Sequence, residues 1–234
     1  MSQPDGRQFD RYAGSYTEMH RVNIRASGEE PSYFSCYKAR YMAAWLGRQK
    51  AAMPLDVLDF GCGVGNSIPH LRDAFPSARL QGVDPSGESI QLAAATHTGI
   101  AAFRLNTAEG LPGEDHSFDL VQAACVFHHI KPDERDHWLN EIRRVLRPGG
   151  DVFMFEHNVL NPLTLKAVRD CPFDEDAVLL PRSELIKRVR TAGFTGVKAR
   201  YIVFFPAALG FLRPLEPWLG FVPLGAQYVV HAVA

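Results

Sequence analysis

A buried strand that ends in an acid and runs directly into a turn with glycine at every second position constrains this chain more than any other feature. The run is Val57-Leu58-Asp59-Phe60-Gly61-Cys62-Gly63-Val64-Gly65, and a helical pattern follows from Ser67. Such glycines permit backbone angles closed to other residues and let main chain approach a ligand without Cβ interference. A second strand ends at Asp84, nineteen residues past Gly65, where an acid can accept hydrogen bonds from a ribose hydroxyl. Strand, glycine turn, helix and distant acid together predict a Rossmann-like nucleotide fold.

The rest of the chain supports that prediction. Short β-rich apolar runs alternate with helical patterns, as in a parallel sheet with crossover helices. Strands are expected at residues 55–60, 79–83, 101–105, 118–124, 152–155, 197–205 and 228–233, and helices at 67–74, 88–95, 133–146 and 183–191. The unbroken apolarity of 118–124 places that strand at the centre of the sheet. Arg147-Pro148-Gly149-Gly150 is expected to end the helix before it, and Asp133 to start it. The 234 residues suit one domain, with a helical, aromatic lid over 1–50, a cofactor core over 51–156 and a substrate-side half over 157–234. Residues 157–182 and the proline-rich 206–226 stand outside the alternation and are expected to shape the substrate pocket.

Charge and cysteine usage remove several classes. With 25 basic against 26 acidic side chains, the chain lacks the basic excess that neutralises nucleic-acid phosphates. Cys36, Cys62, Cys125 and Cys171 show no zinc-ligand spacing, and the acids Asp174, Glu175 and Asp176 read as a solvated loop with no His or Cys at ligand spacing, so no metal is expected. The polar N-terminus lacks a signal core, and no uncharged apolar run reaches membrane length, so the expectation is a cytoplasmic protein without an integral membrane segment. The apolar tail leaves room for a homodimer.

The glycine turn does not fit a dinucleotide well. Its third expected glycine is Asn66, and Asp59 directly before the loop would repel a pyrophosphate. A carboxylate there suits a cationic or amine-bearing ligand.

These runs resemble the motifs of class I S-adenosylmethionine-dependent methyltransferases, specifically the ubiquinone/menaquinone type that methylates small molecules. Residues 57–65 resemble the first motif, and Gly82-Val83-Asp84-Pro85-Ser86 the acidic one. Ala108-Glu109-Gly110-Leu111-Pro112, Ser117-Phe118-Asp119-Leu120-Val121, Val126-Phe127-His128-His129-Ile130 and Leu146-Arg147-Pro148-Gly149-Gly150 complete the set, with Phe9, Asp10, Ala13 and Tyr16 similar to the lid signature. The resemblance implies a three-layer α/β sandwich around a mostly parallel seven-stranded sheet, its last strand antiparallel, under an N-terminal helical lid. It also implies S-adenosylmethionine as cofactor. Gly61, Cys62, Gly63 and Gly65 would wrap the methionine moiety, and Asp59 would face its charge. Asp84 with Pro85 would take the ribose, Thr107, Ala108 and Glu109 the adenine, Ala124 the methionine end, and Tyr16 the lid side. Thr107 stands where relatives often carry Asp, leaving a hydroxyl without the charge.

Methyl transfer to oxygen or carbon needs the acceptor held in line, and can need a base. His128 and His129 follow the fourth strand and Glu156 the fifth, so a histidine and Glu156 are expected to meet as base and orienter. Lys38 could meet a carboxylate of cofactor or substrate. The sequence thus reads as a methyltransferase acting on a small apolar or aromatic molecule, most readily at oxygen, with carbon next. An NAD-dependent oxidoreductase and a catalytically silent S-adenosylmethionine-binding protein stay open as alternatives.

Overall fold

The computed structural model describes residues 10, 14 and 16–234; Phe9, Tyr12, Ala13 and the side chain of Tyr16 lie outside the description. Among the described residues seven strands form one sheet in the order β3-β2-β1-β4-β5-β7-β6. They are β1 (Asp56–Phe60), β2 (Arg79–Asp84), β3 (Ala101–Leu105), β4 (Phe118–Ala124), β5 (Leu146–His157), β6 (Thr195–Ile202) and β7 (Gln227–Val233). β1 to β5 pair in parallel. β7 inserts between β5 and β6 and runs antiparallel to both. The expected topology is therefore present, with 118–124 at the centre.

Helices pack on both faces: α1 (Tyr16–Ile24), α2 (Pro31–Leu46), α3 (Ile68–Ala74), α4 (Gly87–Thr96), α5 (Arg135–Val145), α6 (Pro162–Arg169) and α7 (Arg182–Thr191). Their starts follow from local chemistry. Pro31 occupies the first turn of α2, where its missing N–H costs nothing. Ser86 caps α4 by accepting from Ser89 N, and Asn161 caps α6 by accepting from Leu163 N and Thr164 N. The apolar stripe of α5, Trp138, Leu139, Ile142 and Val145, is buried. One core joins that stripe and Leu185 and Val189 of α7 to the sheet. The other joins Ala39 and Met42 of α2 and Ile68 and Leu71 of α3 to its opposite face.

Two expectations need correction here. Pro148-Gly149 does not separate α5 from its strand, because β5 begins at Leu146. Pairing with β4 steps from Phe118↔Leu146 to Leu120↔Asp151, a bulge that absorbs the extra residues. Gly149, at φ 79, makes that bend. Asp133 does not cap α5 either, since Glu134 holds the N-cap position without a side-chain bond.

Arg135 anchors the carboxyl side of the sheet. Its side chain is 1% exposed, its Nε donates to the carbonyls of Phe127 and Ile130 at 3.0 Å, and its Nη2 donates to Val178 O at 2.5 Å. Arg135→Met keeps the volume but removes the guanidinium donor from all three carbonyls, of which Phe127 O still accepts from Ile130 N. Urea denaturation should show a loss of about 3 kcal/mol, and a change under ~0.5 kcal/mol would contradict the anchoring role.

Candidate active site

The glycine turn is built by the register of β1 against β2. Gly61 N and Cys62 N both donate to Val83 O, at 2.8 and 3.0 Å, which folds the chain back over the end of β2. Gly61, Gly63 and Gly65 have φ of 73, 51 and 83. A Cβ on Gly61 would lie 2.5 Å from Val126 Cγ2, so both conformation and space require glycine there. Gly82 is needed for a different reason: its missing Cβ makes room for Cys62 Sγ.

Two buried carboxylates flank this turn. Gly63 N and Ser86 N each donate to Asp84 at 2.9 Å, one to either oxygen. Burial nevertheless pushes the Asp84 carboxyl up to about 6. Asp59 accepts from Gln122 Nε2 at 2.9 Å through one oxygen, while its other oxygen is buried with no hydrogen-bond partner among the described residues. Burial raises Asp59 to about 7, against the help of Gln122. An orphaned buried acceptor beside a glycine turn fits a ligand that brings a donor or a positive charge.

Both acids open into one cavity of about 750 Å³, large among ligand pockets, which run roughly 300–1,000 Å³. Gly61, Cys62, Gly63, Asp84, Pro85, Thr107, Ala108 and Ala124 line it as expected, together with Val64, Asn66 and Asn106. Asn106 and Gln122 were not anticipated. Asn106 follows the carboxyl end of β3, where ligands of open parallel sheets gather, and its Oδ1 is buried without a hydrogen-bond partner among the described residues. Lys38 lines the cavity too, 7% exposed, with Nζ 3.6 Å from Cys125 Sγ.

Three expected contributors are not brought to the wall. Gly65 lies behind the turn, where a Cβ would meet the His97 ring at 2.7 Å; its part is to fit the chain against that ring. The Glu109 side chain points to a shallow outer hollow with Glu141 and Arg144 and accepts a hydrogen bond from Thr107, whose oxygen keeps its lone pairs for a donor in the cavity. Residues 206–226 stay outside, with Phe211, Trp218 and Phe221 75–78% exposed, because the 157–182 insert takes the position next to the cavity. From that insert Val168, Cys171, Phe173 and Asp174 line the wall.

The histidine side of the cavity is polar and crowded. Phe127–His129 is a 3-10 turn after β4, reached through Cys125 at a positive φ of 60. Glu156 stands behind it, 1% exposed and off the cavity wall. One of its oxygens accepts from Val126 N (3.0 Å) and Phe127 N (2.7 Å), and the other meets His128 Nδ1 at 2.6 Å. The expected histidine–Glu156 pair thus exists, with Glu156 holding His128 rather than facing an acceptor. His128 Nε2 points to Asp174 Oδ1 at 3.7 Å, and His129 Nε2 reaches the same oxygen at 3.3 Å. Burial disfavours charge on His128, but Glu156 and Asp174 outweigh it and raise the ring to about 10. Burial and the neighbouring His128 lower His129 to about 3 and His157 to about 4. One imidazolium therefore sits among neutral rings. The acids 174–176, expected to be a solvated loop, are partly drawn in: Asp174 is 9% exposed on its side chain. Only the fold could reveal this, since Asp174 is remote from the histidines in sequence.

Sheet order, glycine turn and paired acids at the carboxyl ends of β1 and β2 define the class I S-adenosylmethionine-dependent methyltransferase fold. Residues 57–150 match the family model described as a methyltransferase domain. It is 38% identical over 98 residues to a malonyl-[acyl-carrier protein] O-methyltransferase of Hahella chejuensis, covering 42% of this chain and 34% of that protein. It is 35% identical over 143 residues to a ubiquinone biosynthesis O-methyltransferase of Rhizobium johnstonii, covering 57% and 54%. The chain thus spans only part of the length of these curated relatives. Among solved structures, a S-adenosylmethionine-dependent methyltransferase of Thermotoga maritima superposes with a TM-score of 0.65 at 21% identity, covering 97% of this chain and 98% of that one, which shows the shared fold.

Gly61→Ala combines a disfavoured φ with a clash against Val126. It should destabilise the protein by about 2–4 kcal/mol in denaturant unfolding, and native stability would contradict this account of the turn.

Proposed function

We propose that this protein transfers the methyl group of S-adenosylmethionine to an oxygen of a small, largely apolar or aromatic molecule. The observation that carries the proposal is the unpaired buried oxygen of Asp59, set with Asp84 around a glycine turn in a cavity of about 750 Å³. S-adenosylmethionine, when bound, supplies an electrophilic methyl on a positively charged sulfur. Asp59 would accept from its ammonium group, Asp84 from its ribose hydroxyls, and Lys38 would face its carboxylate. The buried Asp59 carboxyl directly before the turn works against the pyrophosphate of a nicotinamide dinucleotide by like-charge repulsion and desolvation.

Beyond the methionine end lie Phe34, Val168, Phe173 and Trp138, an apolar surround for the acceptor. His128, His129 and Asp174 are among the polar groups of this cavity and are suited to an acceptor hydroxyl. Glu156 is the positioning residue for His128. Both relatives named above are O-methyltransferases, which is in keeping with oxygen as the methylated atom.

Calorimetry with S-adenosylhomocysteine and with NAD, then turnover of labelled cofactor against phenols, quinols and hydroxy acids, tests the proposal. Binding of the thioether but not NAD, with methylation of a hydroxyl compound, is expected. Binding without any turnover would indicate a silent sensor, and no binding would overturn the reading. Asp84→Ala should weaken the thioether by about 1–3 kcal/mol. His129→Ala should lower kcat at least ~tenfold while sparing cofactor affinity.

The affinity should also depend on pH. Asp59, raised to about 7, is neutral below that value and ionises above it. A ligand ammonium beside it therefore binds more tightly as pH rises through 7, by up to roughly tenfold. Asp59→Asn should flatten this profile in the same titration.

A further inference from the structure

We propose that His128, His129 and Asp174 form a site for a divalent first-row transition metal on the acceptor side of the cavity, with Glu156 as its outer-shell orienter. Two consecutive histidines in the Phe127–His129 turn place their ring centroids 4.1 Å apart. Their ligand atoms and that of Asp174 all lie within 4.8 Å of one another. The distances to Asp174 Oδ1 are 3.7 Å from His128 Nε2 and 3.3 Å from His129 Nε2. Metal–ligand bonds of ~2.0–2.2 Å set neighbouring donor atoms roughly 3.0–3.6 Å apart, so these edges nearly have the required length.

His128 supplies the independent observation. Its ring is 1% exposed, and Nε2 is buried with no hydrogen-bond partner among the described residues. A buried ring nitrogen left over in this way needs an explanation. Nδ1 is committed to Glu156 at 2.6 Å, and that carboxylate is itself fixed by Val126 N and Phe127 N. An incoming ion would displace the Nε2 proton of this imidazolium, since histidine ligation releases protons, while Glu156 keeps the Nδ1 proton and holds Nε2 toward the ion. This is the carboxylate–histidine–metal arrangement, in which the outer carboxylate fixes tautomer and ring direction. Phe173 packs its ring edge against His129 at 5.0 Å and steadies the second ligand.

Two imidazoles and one carboxylate select zinc-like or iron-like ions over magnesium or calcium. Three protein ligands on one side leave coordination positions open toward the cavity. An acceptor hydroxyl bound there loses its proton to solvent more readily. Its oxygen then bonds to the methyl carbon as the carbon–sulfur bond breaks and sulfur keeps that electron pair. This last role rests on the methyl-transfer reading, whereas ion binding does not. Spacing along the chain conceals the set, because the third ligand comes from the insert after β5.

The test uses tag-free full-length protein stripped with a chelator. It is titrated with Zn²⁺ by calorimetry and with Co²⁺ by visible absorption. A single ion is expected, with Co²⁺ bands of a low-coordinate nitrogen and oxygen environment. His129→Ala and Asp174→Asn should each weaken Zn²⁺ by at least ~100-fold, and Glu156→Gln by about 10–100-fold. Affinity for S-adenosylhomocysteine, measured on the same variants, should stay within about twofold of the parent protein, which establishes that they fold. No Zn²⁺ or Co²⁺ binding by the parent protein, or equal binding by His129→Ala and Asp174→Asn, overturns the proposal. Absence of thioether binding by the parent protein would instead count against the methyltransferase reading.

Discussion

The acceptance of two consecutive N–H groups, those of Gly61 and Cys62, by the single carbonyl of Val83 is the interaction on which the site depends. It fixes where β1 stops relative to β2. Because the two strands are parallel and in register from Asp56↔Arg79 to Phe60↔Val83, their carboxyl ends deliver Asp59 and Asp84 to the same edge. The glycine φ values follow from turning the chain so tightly over a neighbouring strand. Once that turn is made, Gly63 N is aimed at Asp84, and the acid becomes part of the fold as well as of the pocket.

Polar burial is concentrated around one cavity. Asp59, Asp84, Lys38, His128 and Glu156 are each less than a tenth exposed. Groups of this kind weaken a protein unless they are paired. Glu156 is fully engaged, Asp84 is held by two N–H groups, and Asp59 is half satisfied. The apolar layers on either face of the sheet must sustain this arrangement, and a ligand that completes Asp59 recovers part of its desolvation cost. The uneven satisfaction of these groups distinguishes a binding region from a core.

Much of this was legible in the sequence. Residues 101–105 and 118–124 coincide with β3 and β4, and the cofactor turn was readable because its glycines, acid and strand are contiguous. Pairing of a histidine with Glu156 also followed, since β4 and β5 are neighbours. What escaped depends on contacts distant in sequence. Pro148-Gly149 reads as a break, yet a bulge can absorb it once Asp151 finds Leu120 across the ladder. The apolar 206–226 segment reads as a pocket wall, but the insert after β5 lies nearer. Asp174 sits among acids that look solvated, and nothing local says that its carboxylate turns inward to two histidines. Gly65 and Glu109 carry the right residue types at positions whose side of the loop only the backbone decides.

The Arg135 guanidinium has a consequence for how firmly the cavity wall is held. It binds carbonyls of the turn after β4 and of the insert at once, and Val178 N donates to His128 O at 2.8 Å across the same seam. Those two parts of the wall are thus cross-linked by side-chain and backbone hydrogen bonds. The α1 part of the wall differs, because Arg21 makes exposed ion pairs with Glu18 and Glu30, contacts of little strength in water. Exposed pairs of that kind are screened by water, so the hydrogen-bonded histidine edge is the more firmly tied side of the cavity.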